Sequence, residues 1–150
     1  MKDFAFSDAQ ALGALTNAGV VSSNVFDMEL DAAGGNIIIT DDQLVGTLNL
    51  IFPANANQVG GTEGMNIYLR SCDNADMTTT PVDLAVLWVS KAELTTGCVK
   101  NVTVCTPLTQ KFVGLFYDPV NTTLTNGNTV NAWFDIAPST VNDSIQKVPS

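Results

Sequence analysis

Residues 130–136 read VNAWFDI, and in this stretch the residues that suit a protein core recur at every second position. Successive side chains of an extended chain point to opposite sides of a sheet, so this period is typical of a β-strand. The pattern predicts a strand with Val130, Ala132, Phe134 and Ile136 facing the core and the positions between them facing outwards. The same period recurs along most of the chain, and it therefore decides the fold class.

Other segments extend this pattern. Residues 44–52, 65–70 and 101–104 each have one apolar face, whereas residues 84–89 and 112–117 are apolar on both faces, as central strands are. Turn-forming residues separate these segments at fairly even spacing, which predicts an all-β chain of about eight strands, an antiparallel sandwich or barrel. Eight strands with one long early loop favour a jelly roll, although the strand order does not follow from periodicity.

The period also divides the chain. We assign residues 1–20 to an N-terminal arm, residues 21–137 to the jelly-roll domain and residues 138–150, which have no periodic pattern, to a C-terminal tail. Within the arm, Ser7-Asp8-Ala9-Gln10 fits a capping box and predicts a short helix of about two turns, with an extended arm as the alternative. Residues 54–64 are rich in glycine and asparagine and are predicted to be a flexible loop.

Charged side chains are scarce in this chain. Its 150 residues include 15 acidic residues, 6 basic residues and no histidine, for a net charge of −9. Charged residues make up 14% of the chain, against about 25% in a typical globular domain. Neutral asparagine and threonine take their place, and a surface of this kind can be buried against a partner without desolvating many ions. The negative charge argues against nucleic acid and anionic membranes as partners.

The sequence also bears on the compartment. Its first residues, MKDF, lack the apolar core of an export signal, and no apolar run is long enough to span a membrane, so we expect synthesis in a cytoplasm. Cys72, Cys98 and Cys105 form no CxxC motif. Cys98 and Cys105 are predicted on one strand, about 23 Å apart and on opposite faces, so they cannot form a disulfide with each other. We expect free thiols.

Few residues are candidates for chemistry. Catalysis by Ser–His or Cys–His pairs and the metal site of a cupin all need histidine, so we predict no enzyme activity, no catalytic, cofactor-binding or metal-binding residues and no cofactor. Asp73 and Asp76, with Glu63 nearby in sequence, have the oxygen ligands that calcium prefers. They lack the glycine and the distal glutamate of a calcium loop, and a turn is the favoured interpretation.

Two aromatic residues are predicted on the polar faces of their strands. Trp133 and Tyr68 alternate with inward-facing apolar residues. Exposed aromatic rings stack on sugars or anchor protein interfaces. In a sandwich that is covered on both faces they would instead be part of the core, and periodicity leaves this choice open.

Several short motifs occur in the order in which a known family has them: FSDAQA at residues 6–11, SNVFD at 23–27, IYLRS at 67–71, CDNAD at 72–76, and the last two strands at 112–117 and 129–135. On these motifs the chain resembles the small jelly-roll capsid cement, or decoration, proteins of short-tailed bacteriophages of the Bordetella-phage type. The resemblance covers roughly residues 4–137 and includes no catalytic signature. The chain departs from the family by an insertion at residues 34–40 and by its three cysteines.

The resemblance implies a structural virion protein that decorates the outside of a tailed-phage capsid and cements neighbouring major capsid proteins. It implies a homo-oligomer (a dimer or a trimer), partners limited to the major capsid protein and copies of itself, no cofactor, and a place on the capsid exterior after synthesis in the host cytoplasm. It also favours an extended conformation for residues 6–11. The alternative is a carbohydrate-binding jelly-roll module of a phage or bacterial surface protein that uses Trp133, Tyr68 and acidic loops.

Overall fold

The structure is a computed structural model that describes residues 4–12, 19–27, 43–54, 60–108, 110–123 and 128–136. These residues form strands β1 (Phe4–Ala11), β2 (Val20–Val21), β3 (Phe26–Asp27), β4 (Gln43–Phe52), β5 (Gly60–Cys72), β6 (Val82–Ser90), helix α1 (Lys91–Thr96), and strands β7 (Cys98–Pro107), β8 (Phe112–Thr123) and β9 (Thr129–Ile136). The predicted tail at 138–150, the insertion at 34–40 and residues 55–59 of the predicted loop lie outside the described residues.

The strands form two antiparallel sheets. The four-stranded sheet has the order β1-β9-β4-β7, and the five-stranded sheet has the order β2-β8-β5-β6, with β3 also paired to β8. Because the two-residue strands β2 and β3 both pair with β8, they share one strand position, which leaves eight positions in two sheets of four. This is a jelly-roll order. The predicted all-β antiparallel sandwich is confirmed.

The inner faces of the two sheets pack into one core. Predicted inward positions that are at most 1% exposed are Leu44, Leu48, Leu50, Met65, Ile67, Leu69, Val130, Ala132 and Phe134. Full burial of each large apolar side chain among them stabilises the fold by about 1.5–3 kcal/mol. Gly46 lies in the same layer, and a Cβ there would be 2.5 Å from Cε1 of Phe134. The glycine therefore makes room for the Phe134 ring.

The described part of the predicted arm is a strand of the sandwich. Residues 4–11 form an edge strand that pairs with β9, and Phe6 in this strand is only 1% exposed. The helix interpretation is wrong. Ser7 Oγ does donate to Gln10 Oε1 at 2.6 Å, but this contact spans an irregularity in the β1–β9 pairing, where Ala9 has a φ of 51°. The predicted boundary between arm and domain, at residue 20, therefore assigns a strand of the sandwich to the arm.

Residues 84–89 were predicted to form a central strand, and this prediction is wrong. They lie in β6, which is the edge strand of the five-stranded sheet and pairs with β5. One face of β6 contributes Val89 to the core, while Val86 and Trp88 on the other face are 54% and 43% exposed. The run is apolar on both faces because its outer face is apolar and open, not because both faces are covered.

Residues 112–117 lie in β8, which pairs with β5 on one side and with β2 and β3 on the other. The prediction of a central strand is confirmed for this segment. The strand continues beyond this segment, through Asp118-Pro119, to Thr123.

Helix α1 carries the chain from β6 in one sheet to β7 in the other. Ser90 Oγ accepts a hydrogen bond from the Glu93 backbone N–H at 3.2 Å, and Glu93 Oε1 accepts one from the Ser90 backbone N–H at 3.0 Å. This is a capping box. Leu94 packs into the core at 1% exposure, so the helix is held at both its first turn and its inner face.

Candidate functional surfaces

The acidic residues considered for calcium lie at two ends of one strand. Asp73 and Asp76 are in the turn after β5, where Asp76 Oδ1 accepts a hydrogen bond from the Thr78 backbone N–H at 3.0 Å, a contact that lowers the pKa of Asp76. Glu63 lies near the start of β5, where it accepts a hydrogen bond from Asn121. Ten residues of strand, roughly 30 Å, separate Glu63 from Asp73. The turn interpretation is confirmed.

No group of three or more acidic or cysteine side chains is placed to hold a metal ion in the part of the chain that the structure describes. The three cysteines are free, with Cys72 buried, Cys98 half-buried and Cys105 exposed. Cys98 and Cys105 lie on β7, as predicted, and pair with the inward Phe52 and the outward Val45 respectively, so they face opposite sides.

The structure places Trp133 and Tyr68 on outer faces, as predicted, but on different sheets. Trp133 lies opposite Asn49 in the four-stranded sheet, and Tyr68 lies opposite Val86 and Phe116 in the five-stranded sheet. Both side chains are half-buried. The core separates them, so they cannot contribute to one binding site.

Among the described residues, the outward positions of three neighbouring strands of the four-stranded sheet, β9, β4 and β7, are almost free of charge. We call its outward positions on β4, β7 and β9 the neutral face; they are Val45, Thr47, Asn49, Ile51, Val99, Asn101, Thr103, Cys105, Pro107, Thr129, Asn131, Trp133 and Asp135. Within this set Asp135 is the only ionisable group apart from the thiol of Cys105. Val99, on the edge strand β7, is 67% exposed. The face therefore offers short polar and apolar side chains to a partner.

The one carboxylate of the neutral face, that of Asp135, is partly buried and hydrogen-bonded to neighbouring side chains. Asp135 Oδ2 accepts hydrogen bonds from Asn49 Nδ2 and from Trp133 Nε1, both at 3.2 Å. Asp135 Oδ1 is buried and has no hydrogen-bond partner among the described residues. A partner that covers this face meets the indole and the amide rather than an exposed charge, which lowers the desolvation cost of contact.

A charged side chain that points inwards makes the β7 edge of this sheet unfavourable for pairing with a further strand. Lys100 on β7 points towards the core side of the sheet, opposite Leu50, and its Nζ lies 2.6 Å from Glu93 Oε2 of helix α1. An inward charge on an edge strand discourages pairing with a further strand. Contacts of this sheet are therefore expected through its face rather than through the β7 edge.

The outer face of the five-stranded sheet is aromatic. Across its strands Val21, Phe116, Tyr68 and Val86 lie in one row. The guanidinium carbon of Arg70 lies 4.7 Å from the centre of the Tyr68 ring and 4.5 Å from that of Phe116, and Arg70 Nε donates to Asp83 Oδ1 at 2.6 Å. The charge of Arg70 is thus neutralised within the chain, and the face is dominated by flat rings.

Sequence reasoning missed Trp88 as an outer-face residue. It lies opposite Asn66 in the β5–β6 pairing and is 43% exposed. Trp88 shares the outer face of the charged Asp83, five residues earlier, only because the β5–β6 pairing has a bulge at Leu84, between Asp83 and Ala85. A β-bulge is not visible in periodicity, because it shifts the phase of the alternation by one residue.

Comparison with known proteins adds no family: no protein-family model matches the sequence, and no curated protein matches it. In the described part of the chain, no helix has the length and apolar character needed to cross a membrane.

Proposed function

We propose that this protein is a structural virion protein that decorates the outside of a tailed-phage capsid and holds neighbouring major capsid proteins together. The observation that carries the proposal is the neutral face, a surface of three neighbouring strands whose only carboxylate is hydrogen-bonded by Asn49 and Trp133. The jelly-roll fold is compatible with this role, although a fold alone does not define a function.

The physical argument concerns desolvation. A chain with a net charge of −9 repels other acidic surfaces over a distance of about one Debye length, roughly 10 Å. At contact, however, the neutral face requires few ions to lose water, so short polar side chains and exposed apolar groups such as Val99 can be buried at low cost. Each contact is weak, and repetition over a symmetric shell gives the assembly its stability.

Self-association belongs to the same proposal. A decoration protein that forms dimers or trimers presents several neutral faces at once, which raises the effective concentration of each face at the shell. The proposed partners are therefore the major capsid protein and further copies of this chain, and no catalytic step is involved.

The experiment introduces charge into the neutral face. Thr103 is exposed on β7, so Thr103→Asp leaves the core intact. We expect this variant to fold with a melting temperature lowered by no more than about 5 °C, the cost of an aspartate in a strand. Its occupancy on capsids that lack the native protein should fall at least about tenfold, since one buried charge costs more than 1.4 kcal/mol. Occupancy is measured by co-sedimentation.

The matched control is Val86→Asp, which places the same charge on an exposed strand position of the opposite outer face. It is expected to bind capsids as the unaltered protein does. Equal occupancy of Thr103→Asp and the unaltered protein would contradict the assignment of the neutral face to capsid contact.

The carbohydrate-binding alternative, as drawn from Trp133 and Tyr68, is not favoured by the geometry, because the two side chains lie on opposite outer faces.

A further inference from the structure

One transverse row on the outer face of the five-stranded sheet has a different character from its neighbours. Trp88 on β6 lies directly opposite Asn66 on β5, and Asn66 lies directly opposite Asp118 on β8. Neighbouring strands are about 4.8 Å apart, so the three side chains span roughly 10 Å. An exposed indole, an amide and a carboxylate therefore lie in one row on the same outer face.

The hydrogen-bonding groups of this row are unused within the described part of the chain. Neither the indole N–H of Trp88, nor the amide of Asn66, nor the carboxylate of Asp118 has a hydrogen-bond or ion-pair partner there. Arg70, on the same face, is already engaged by Asp83. The row therefore retains one fixed donor, one group that both donates and accepts, and one strong acceptor.

The indole is also held in place. A Cβ at Gly64 would lie 2.8 Å from Cζ2 of Trp88, so the ring packs against the bare backbone of β5 at this glycine. Trp88 nevertheless keeps 43% of its surface exposed. A ring that is fixed before binding loses little conformational entropy when a ligand stacks on it.

We propose that this row is a binding platform for a neutral saccharide. The apolar C–H face of a pyranose ring would stack on the Trp88 indole, its hydroxyl groups would donate to the Asp118 carboxylate, and they would exchange hydrogen bonds with the Asn66 amide. Acidic sugars are disfavoured by Asp118 and by the net charge of −9.

The free carboxylate distinguishes a saccharide from a protein occupant. A flat apolar protein surface would bury Asp118 without a donor, which is costly. A saccharide supplies hydroxyl donors to the Asp118 carboxylate and leaves the rim of the site in water. The platform lies on the sheet opposite the neutral face, so this inference does not depend on the proposed capsid contact.

The test is isothermal titration calorimetry of the full chain with maltotetraose, cellotetraose and chitotetraose, and with tetragalacturonate as the acidic probe. We expect at least one neutral probe to bind, and tetragalacturonate to bind at least about tenfold more weakly than that probe. Trp88→Ala is expected to reduce the association constant about tenfold or more, in line with the loss of an aromatic stack. Asp118→Ala is expected to reduce it several-fold. Asp8→Ala, which removes an exposed carboxylate from β1 of the other sheet, is the matched control for Asp118→Ala and should bind as the unaltered protein does.

Absence of binding by all three neutral probes overturns the proposal. It is also overturned if Trp88→Ala binds a saccharide as tightly as the unaltered protein does. Where Trp88→Ala does not fold, the same result for Asp118→Ala overturns it. A concentration-dependent dimer in sedimentation that Trp88→Ala abolishes, with no heat from any saccharide, also overturns it and identifies a second copy as the occupant. Because no capsid enters the experiment, its outcome is independent of the decoration proposal.

Discussion

At the scale of single residues, Tyr117 joins the two sheets through a buried hydrogen bond. Its hydroxyl lies 2.8 Å from Ser7 Oγ of β1. Since Ser7 donates its own proton to Gln10, the tyrosine hydroxyl is the donor of the pair. Burial raises the pKa of Tyr117 well above its ordinary value, so the group stays neutral. The contact therefore fixes β1 to the opposite sheet.

The Tyr117→Phe variant should lose about 1 kcal/mol of unfolding free energy, because the Ser7 oxygen then lacks its buried donor. Urea denaturation measures this loss. Tyr68→Phe is the control, because its hydroxyl has no hydrogen-bond partner in the described part of the chain, and it should change stability by less than about 0.5 kcal/mol. Similar losses in both variants would argue against the sheet-joining role.

Alternation in the sequence is enough to identify inward residues such as Leu48 and Phe134, because the period of a strand is a local property of the backbone. Alternation cannot separate Trp88 from a core residue, since the exposure of Trp88 depends on whether other parts of the fold cover the outer face of β6. Nor can it separate Trp133 from Tyr68, because alternation gives the face of a strand and not the sheet to which the strand belongs.

At the scale of elements, β1 shows how tertiary contacts override a local signal. Ser7 and Gln10 have the spacing of a capping box, yet the backbone around them is extended and paired with β9. A helix of two turns is marginal in isolation, whereas β1 buries Phe4 and Phe6 in the core. The burial of these rings decides the conformation.

The role of β1 in the fold can be tested by Phe6→Ala. Because Phe6 is 1% exposed and its ring lies 5.4 Å from that of Phe26, this substitution should cost about 3–5 kcal/mol of stability. Ala5→Ser, at a half-buried outward position of the same strand, serves as the control and should have little effect. If residues 4–11 were a detachable arm, thermal denaturation would show no difference between the two variants.

Helix α1 makes a pH-dependent contribution to the free energy of unfolding. The ion pair with Lys100, and then the hydrogen bond from the Ser90 backbone, lower the pKa of Glu93 from its ordinary 4.5. A lowered pKa in the folded state means that the contribution is present above pH 4.5 and disappears as the pH falls through the folded value.

The Glu93→Gln variant should therefore be less stable than the unaltered protein at pH 7, by about 0.5 kcal/mol for a partly exposed pair, and the difference should vanish in acid. Urea denaturation at several pH values measures it. Lys91→Gln, which removes a charge from the same helix without touching this pair, is the control. A difference that stays constant from neutral pH into acid would contradict the assignment.

At the scale of the whole molecule, the jelly-roll order brings the first described strand beside the last one. Phe4 lies opposite Phe134, and no pattern within either segment encodes that pairing. The same order gives the sandwich two unlike outer faces, one neutral and one aromatic. The sequence predicts scarce charge, but only the sheet order shows that the neutral positions of β4, β7 and β9 lie side by side.

The most direct test of the decoration proposal is quantitative mass spectrometry of purified virions, combined with surface labelling of intact particles. The proposal predicts this chain in a fixed ratio to the major capsid protein and accessible to label on intact particles. Virions that contain none of this chain, or that hold it only where label cannot reach, would contradict it.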